Sequence, residues 1–99
     1  MNLNKIHHIA FITSDYKRTK EFYFQKLGFE VVRENYRPER DDYKLDLRLV
    51  NSELEIFCET TPPARLSGPE SCGLRHLAFA VDDVEQTVKE LNDLGIETD

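Results

Sequence analysis

Apolar and polar residues follow a strand–helix–strand–strand–strand order over the first sixty positions. Alternation predicts a strand from Ile6 to Thr13, in which Ile9 and Phe11 share one face. The helical period then predicts a helix that starts after Ser14-Asp15 and stops at Gly28. Three more strands are predicted at 29–36, 43–49 and 53–59, with a turn at Asn51-Ser52 before the last one.

The remaining residues repeat only the beginning of this order. The stretch from Thr60 to Ser71 contains three prolines and a glycine, which predicts a loop. A strand is predicted from Gly73 to Val81, followed by a helix that Asp82-Asp83 caps and Gly95 closes. Ile96 is predicted to start another strand.

The two parts are copies of one another. The run His8-Ile9-Ala10-Phe11 matches His76-Leu77-Ala78-Phe79 at an offset of 68 positions. After each helix, Leu27-Gly28-Phe29-Glu30 matches Leu94-Gly95-Ile96-Glu97 at an offset of 67. Because the period exceeds that of solenoid repeats, we interpret the pattern as a duplicated βαβββ module in an α+β fold.

The second copy is incomplete by comparison with the first. We expect one domain over 1–99, with module one at 1–60, a linker at 61–72 and the start of module two at 73–99. By the length of the first copy, module two lacks roughly 30 residues. The chain is therefore expected to be a fragment, a truncated paralogue, or a protein that completes its fold with another chain.

Composition excludes several classes of function. The formal net charge of −6 argues against a nucleic-acid partner, because phosphate binding needs clustered Lys and Arg. No apolar run reaches the length of a membrane span, and the first residues lack the apolar core of a secretory signal. The two cysteines, Cys58 and Cys72, are more typical of a reduced cytoplasmic protein than of a disulfide scaffold.

Two histidines at equivalent positions are the main candidates for chemistry. His8 and His76 are each predicted to face away from the apolar side of their strand, with an alanine beside them. Glu55 lies on the same face of the fourth strand, between Glu53 and Glu59, which are interpreted as solvated strand ends. Two imidazoles and a carboxylate suit Zn, Ni, Co, Mn or Fe. The alternative is that both histidines are hydrogen-bonded structural residues.

Other polar residues have weaker interpretations. His7 should face away from His8 and support it or the fold. Cys58 is predicted to be a small core residue, whereas nothing marks Cys72 as a reactive thiol. A basic stretch in this acidic chain is either a solvated face or an anchor for an anionic substrate group; it consists of Arg37, Arg40, Lys44 and Arg48.

These motifs together resemble the vicinal oxygen chelate (VOC) superfamily, in particular the small glyoxalase I-like proteins of bacteria. The opening strand with Asp15, the helix end Glu21-Phe22-Tyr23 with Leu27-Gly28-Phe29, and the segment 74–83 carry the resemblance along the whole chain. The closer match lies in the Pro62-Pro63 loop and in the segment 72–76. The resemblance implies the paired-module fold of the glyoxalase, bleomycin resistance protein and dioxygenase group.

The resemblance also implies a site and a reaction. His8, Glu55 and His76 correspond to three of the four metal ligands of glyoxalase I, and the fourth, a Glu, would lie beyond Asp99. The implied activity is that of a lactoylglutathione lyase-like enzyme on a 2-oxoaldehyde–thiol adduct. In that reaction a metal stabilises an enediolate, and Glu55 is the carboxylate left to remove the proton.

Two other interpretations remain open. The chain could be another VOC enzyme, namely an extradiol dioxygenase, an epimerase or a thiol transferase of the fosfomycin-resistance type. It could also be a small-molecule-binding protein without catalysis. Because module two supplies little of its own sheet, we expect a homodimer in which modules pair across the interface.

Overall fold

The computed structural model describes residues 1–99, which divide into two units, Met1–Ala64 and Arg65–Asp99. The first unit contains β1 (His8–Thr13), α1 (Tyr16–Lys20), a π-helical segment (Glu21–Lys26), β2 (Glu30–Arg37), β3 (Asp42–Leu49) and β4 (Ser52–Cys58). This order confirms the predicted βαβββ module and the α+β class. The boundary between the units lies within the stretch 61–72 that was predicted as a linker.

The four strands form one mixed sheet in the order β1-β4-β3-β2. β1 runs parallel to β4, whereas the β4–β3 and β3–β2 pairs are antiparallel. The first and last strands of the module are therefore neighbours, which brings residues from the two ends of the unit together. In the register, Ala10 lies opposite Glu55, and Glu55 lies opposite Asp46 on the other side.

One face of the sheet forms the hydrophobic core. Leu45, Leu47 and Ile56 are completely buried, and burying each such side chain is worth about 1.5–3 kcal/mol. The rest of the core is made of Phe29, Leu54 and Cys58, with Ile9, Phe11, Tyr16, Tyr23, Leu27 and Val31 packed against it. The alternation of β3 and β4 thus places all polar side chains between these residues on the opposite face.

The first helix joins this core through its aromatic residues. Asp15 caps it, because its carboxylate accepts a hydrogen bond of 3.0 Å from the backbone N–H of Arg18. The turn then widens, and the N–H of Leu27 donates to the carbonyl of Phe22, five residues earlier, at 2.9 Å. Gly28 follows at φ +80°, the left-handed conformation that ends helices and favours glycine.

The second unit contains one helix, α2 (Val84–Asp93). Asp83 caps it by accepting from the backbone N–H of Gln86 at 3.0 Å, and Gly95 follows it at φ +82°. The predicted helix is therefore confirmed at both ends. No helix in the chain is long and apolar enough to cross a membrane.

Two predicted strands are absent from the second unit. Neither the segment 73–81 nor the residues from Ile96 onward form a strand. A strand needs a hydrogen-bonded neighbour, and the four strands of the sheet all come from the first unit. The alternation that predicted these strands fixes side-chain direction, but it supplies no partner for the backbone.

Candidate functional site

His8 and Glu55 lie close together on the polar face of the sheet. They belong to the adjacent parallel strands β1 and β4, and His8 Nε2 is 3.9 Å from Glu55 Oε2. Both are accessible, since 46% of the His8 side chain and 27% of the Glu55 side chain are exposed. Strand alternation predicted this shared face, and the first unit confirms it for these two residues.

The donor types and spacing of this pair fit a divalent metal ion. Imidazole nitrogen and carboxylate oxygen bind Zn²⁺ at about 2.0–2.2 Å, so two such donors on one ion lie at most about 4.3 Å apart. The 3.9 Å between His8 Nε2 and Glu55 Oε2 falls within that limit. Two donors on a tetrahedral zinc lie about 3.4 Å apart, so these two atoms would have to approach by about half an ångström to share one. Within neither unit are three or more His, Cys, Asp or Glu side chains grouped for a metal, so this pair alone is an incomplete site.

His7 contacts His8 directly. It precedes β1, and its Nδ1 lies 3.0 Å from Nδ1 of His8, with the two rings edge to face. Strand alternation predicted that His7 faces away from His8. A residue that precedes the strand need not follow that alternation. One of the two nitrogens must donate in this hydrogen bond. If His8 donates, its Nε2 keeps the lone pair that a metal ligand needs.

A buried carboxylate, which sequence reasoning did not select, lies next to Glu55. Asp46 on β3 is directly opposite Glu55 on β4, and only 7% of its side chain is exposed. Its Oδ2 lies 3.3 Å from Nη1 of Arg33 and 3.5 Å from Nζ of Lys44, whereas its buried Oδ1 has no hydrogen-bond partner. The alternation of β3 reveals its face, but its neighbours follow only from the register.

Lys44 joins the two carboxylates. Its Nζ lies 3.5 Å from Asp46 Oδ2 and 3.7 Å from Glu55 Oε2, which is the same Glu55 oxygen that faces His8. The ring of Phe57 lies beneath this ammonium, 5.9 Å from Nζ to the ring centre. Like charges directly opposite each other on paired strands destabilise a sheet. A cation between Asp46 and Glu55 reduces this repulsion.

The predicted basic stretch is mostly engaged with carboxylates. Arg37 forms two hydrogen bonds of 2.7 and 2.6 Å to the buried Asp42, and these hold the pKa of that carboxyl below its usual value. Arg48 lies 3.6 Å from Glu53. Arg40 has no ion pair and is exposed, and its charge contributes only weakly to the lowered pKa of Asp42. An anchoring role for an anionic substrate stays a prediction for these residues.

His76 belongs to the second unit. It is exposed and lies in the irregular segment that precedes α2. Its predicted partnership with His8 and Glu55 therefore stays a prediction. The same segment borders an open cleft of about 370 Å³ whose lining includes Cys72 and Arg75. The guanidinium of Arg75 pairs with Glu70 at 3.1 Å.

The two cysteines differ in their surroundings. Cys58 is a core residue, as predicted, and its burial raises the pKa of its thiol. Thr13 Oγ1 donates a hydrogen bond of 3.1 Å to its sulfur. A buried thiol with a raised pKa is poorly reactive, so Cys58 has a packing role. Cys72 is exposed in the second unit.

Comparison with known proteins gives a consistent family match. A sequence model of the Glyoxalase/Bleomycin resistance protein/Dioxygenase superfamily matches residues 5–99. The uncharacterized protein YwkD of Bacillus subtilis (strain 168) is 53% identical over 100 residues, which cover 100% of this chain and 78% of YwkD. The crystal structure of a glyoxalase family protein from Enterococcus faecalis is 56% identical, with a TM-score of 0.94 over 100% of this chain and 79% of that one.

A more distant structure shares the fold. The fosfomycin resistance protein FosX of Listeria monocytogenes, solved with Mn(II) and a sulfate ion, has a TM-score of 0.71 and 16% identity. The match covers 97% of this chain and 75% of FosX. At this identity the likeness concerns the fold alone.

Proposed function

This chain belongs to the Glyoxalase/Bleomycin resistance protein/Dioxygenase superfamily, and from that membership we propose a metal-dependent enzyme acting on a small carbonyl compound. The proposed reaction is a glyoxalase I-like isomerisation of a 2-oxoaldehyde–thiol adduct. The observation that carries the proposal is the approach of His8 Nε2 to Glu55 Oε2 at 3.9 Å on neighbouring strands. These two residues supply the nitrogen and oxygen donors that borderline divalent ions prefer.

Three residues of this chain would hold the ion. His8 would bind through Nε2, Glu55 through its carboxylate, and His76 would provide the second imidazole. When bound, a divalent ion supplies Lewis-acid stabilisation of negative charge on two adjacent substrate oxygens. The supporting chemistry is the donor set itself, since two imidazoles and one carboxylate form a recurrent ligand set of catalytic zinc.

Glu55 is the proposed proton acceptor. A general base must reach the proton that it abstracts, at about 2.6–3.2 Å between heavy atoms. The Glu55 side chain is 27% exposed on the polar face, so a small substrate can approach its carboxylate. We propose that it takes a proton from the carbon beside a carbonyl group, while His7 orients the His8 ring through the contact between their Nδ1 atoms.

Metal binding tests this proposal. Zn²⁺ affinity would be measured by calorimetry in wild type, His8→Ala, Glu55→Gln and His76→Ala. Each substitution removes a direct donor and should weaken binding by at least the ~10–100-fold loss found for outer partners of metal ligands. Glu34→Gln is the matched control, because Glu34 also pairs with a lysine, Lys20, but lies opposite Leu45 on the core side of the sheet. Its affinity should change less than threefold. Unchanged affinity in His8→Ala would refute the proposed site.

Activity then separates the proposed reaction from its alternatives. The metal-loaded protein would be assayed with 2-oxoaldehyde–thiol adducts, and the same three ligand substitutions should abolish turnover. Ring cleavage of catechols by iron-loaded protein, without isomerase activity, would instead support an extradiol dioxygenase. Metal-free ligand binding without turnover would support a binding protein.

We also propose that the chain assembles as a homodimer. The second unit exposes apolar side chains that a folded protein normally covers; they are Leu74, Leu77, Val81 and Val84, each 37–67% exposed. Light scattering of the 99-residue chain should therefore give twice the mass of one chain. A stable, well-folded monomer at micromolar concentration would contradict this assembly.

A further inference from the structure

We propose that Lys44 is a built-in counter-ion that competes with a divalent metal for Glu55, an inference that rests on the metal site proposed above. Its Nζ lies 3.7 Å from Glu55 Oε2, and the same oxygen lies 3.9 Å from His8 Nε2. The ammonium therefore faces the oxygen that would bind the metal. Lys44 thereby sets how tightly the His8–Glu55 pair holds a cation.

The position of Lys44 is fixed by the register of the sheet. Asp46 and Glu55 lie directly opposite each other on β3 and β4, so their carboxylates are neighbours on the polar face. Lys44 lies two residues before Asp46 on the same face and reaches both carboxylates, at 3.5 Å and 3.7 Å. Only a quarter of its side chain is exposed. Lys44 is thus held by ion pairs and is not a free surface lysine.

Asp46 provides a second carboxylate toward which the Lys44 ammonium can move. Its side chain is 93% buried, and its Oδ1 has no hydrogen-bond partner. A buried carboxylate oxygen without a hydrogen bond destabilises the folded protein. This oxygen is therefore an unused acceptor close to the ammonium of Lys44. When a metal occupies Glu55, Lys44 can shift toward Asp46 and satisfy this oxygen.

The alternative role for Lys44 is an anchor for an anionic substrate group, as its place in the basic stretch suggested. Two carboxylates within 3.7 Å already oppose its charge. Arg33 also pairs with Asp46, so Lys44, Arg33, Asp46 and Glu55 together sum to zero charge, and the variants below decide between the two roles. The two roles differ in outcome, because removing an anion anchor would not strengthen metal binding.

Removing the positive charge should raise metal affinity. Lys44→Gln keeps a polar side chain but deletes a charge about 4 Å from the metal-binding oxygen. We expect it to bind Zn²⁺ about tenfold more tightly than wild type, the order expected for one unit charge beside a divalent ion in a largely hydrated site. Lys44→Arg retains the charge and should stay within threefold of wild type. The gain in Lys44→Gln should shrink as salt is added.

Lys20→Gln is the matched control. It makes the same substitution in another lysine that pairs with a glutamate, since Lys20 Nζ lies 2.9 Å from Glu34 Oε2. Glu34 lies opposite Leu45, so this pair is on the core side of the sheet. The control should leave Zn²⁺ affinity within twofold of wild type. An equal gain in Lys20→Gln would show a general charge effect and would overturn the inference.

A second pair of variants keeps the test decisive if Lys44→Gln fails to fold. In Lys44→Gln the buried carboxylate of Asp46 keeps only Arg33 as an ion-pair partner. Asp46→Asn removes that carboxylate. The double variant Lys44→Gln/Asp46→Asn should bind Zn²⁺ about tenfold more tightly than Asp46→Asn, by the same charge argument. Equal affinity in that pair would overturn the inference.

The outcomes for the two proposals are distinct. If wild type binds Zn²⁺, His8→Ala loses it and Lys44→Gln does not gain, the metal site stands and the role of Lys44 falls. If His8→Ala binds as tightly as wild type, the metal site falls, and the inference with it. A gain in Lys44→Gln that disappears in Lys44→Gln/His8→Ala supports both.

Discussion

The two helices of this chain begin with the same hydrogen bonds but differ in what they bury. Asp15 and Asp83 each accept from the backbone N–H three residues later, at 3.0 Å in both cases. The N–H groups of Thr19 and Thr87 donate back to the carbonyls of these two residues at 2.9 and 3.0 Å. Yet Thr19 is buried, whereas α2 contains no buried residue.

This difference separates what a local sequence specifies from what a sheet adds. The repeated Asp and Thr fix the start of each helix, because capping involves only a few neighbouring residues. Burial requires a surface to pack against, and the first unit provides it through its sheet. Thr19 shows this, since its Oγ1 donates a hydrogen bond of 3.0 Å to Thr13 Oγ1 on β1. Most helical stability in proteins comes from such packing.

The largest expected effect is the loss of a core side chain from the first unit. Ile56 is completely buried, so Ile56→Ala should lower the free energy of unfolding by about 2–5 kcal/mol. Leu91 in α2 is only partly buried, and Leu91→Ala should cost about 1–2 kcal/mol by the area rule, less than the core substitution. Urea denaturation followed by circular dichroism would measure both. Equal losses would mean that α2 packs as α1 does, in an assembly with a second chain.

The sequence predicted the first unit well because its signals are local or alternating. The capped helix, its glycine stop and the strand faces of His8 and Glu55 all follow from residue type and spacing. The turn before β4 was less predictable, because Val50 adopts φ +55°, a conformation that usually favours glycine. Asn51-Ser52 predicted a turn here, but β4 already begins at Ser52, and the residue with positive φ is the β-branched Val50.

The candidate site was predictable only in part, for a different reason. Strand alternation places His8, Glu55 and Asp46 on one face, but it does not say which residues are neighbours. The parallel pairing of β1 with β4 and the register of β3 against β4 decide that. Asp46 looked like one polar residue of an alternating strand, and its positions opposite Arg33 and Glu55 follow only from the pairing of β3 with β2 and β4. Long-range pairing therefore carries the information that the residue pattern lacks.

The smallest expected effect, and the sharpest form of the comparison, is the loss of each helix cap. Asp15→Ala and Asp83→Ala remove the same hydrogen bond from equivalent helices, and each cap is worth about 0.5–2 kcal/mol. In the first unit the loss should appear in global unfolding, because α1 is coupled to the core through Thr19 and Tyr16. In the second unit it should appear as faster amide hydrogen exchange within α2, with little change in the urea midpoint of the whole chain.

Asp15→Asn and Asp83→Asn are the controls, since asparagine caps helices about as well as aspartate. If Asp83→Ala shifted the global midpoint as much as Asp15→Ala, the two units would unfold together, and the contrast between the two helices would not hold.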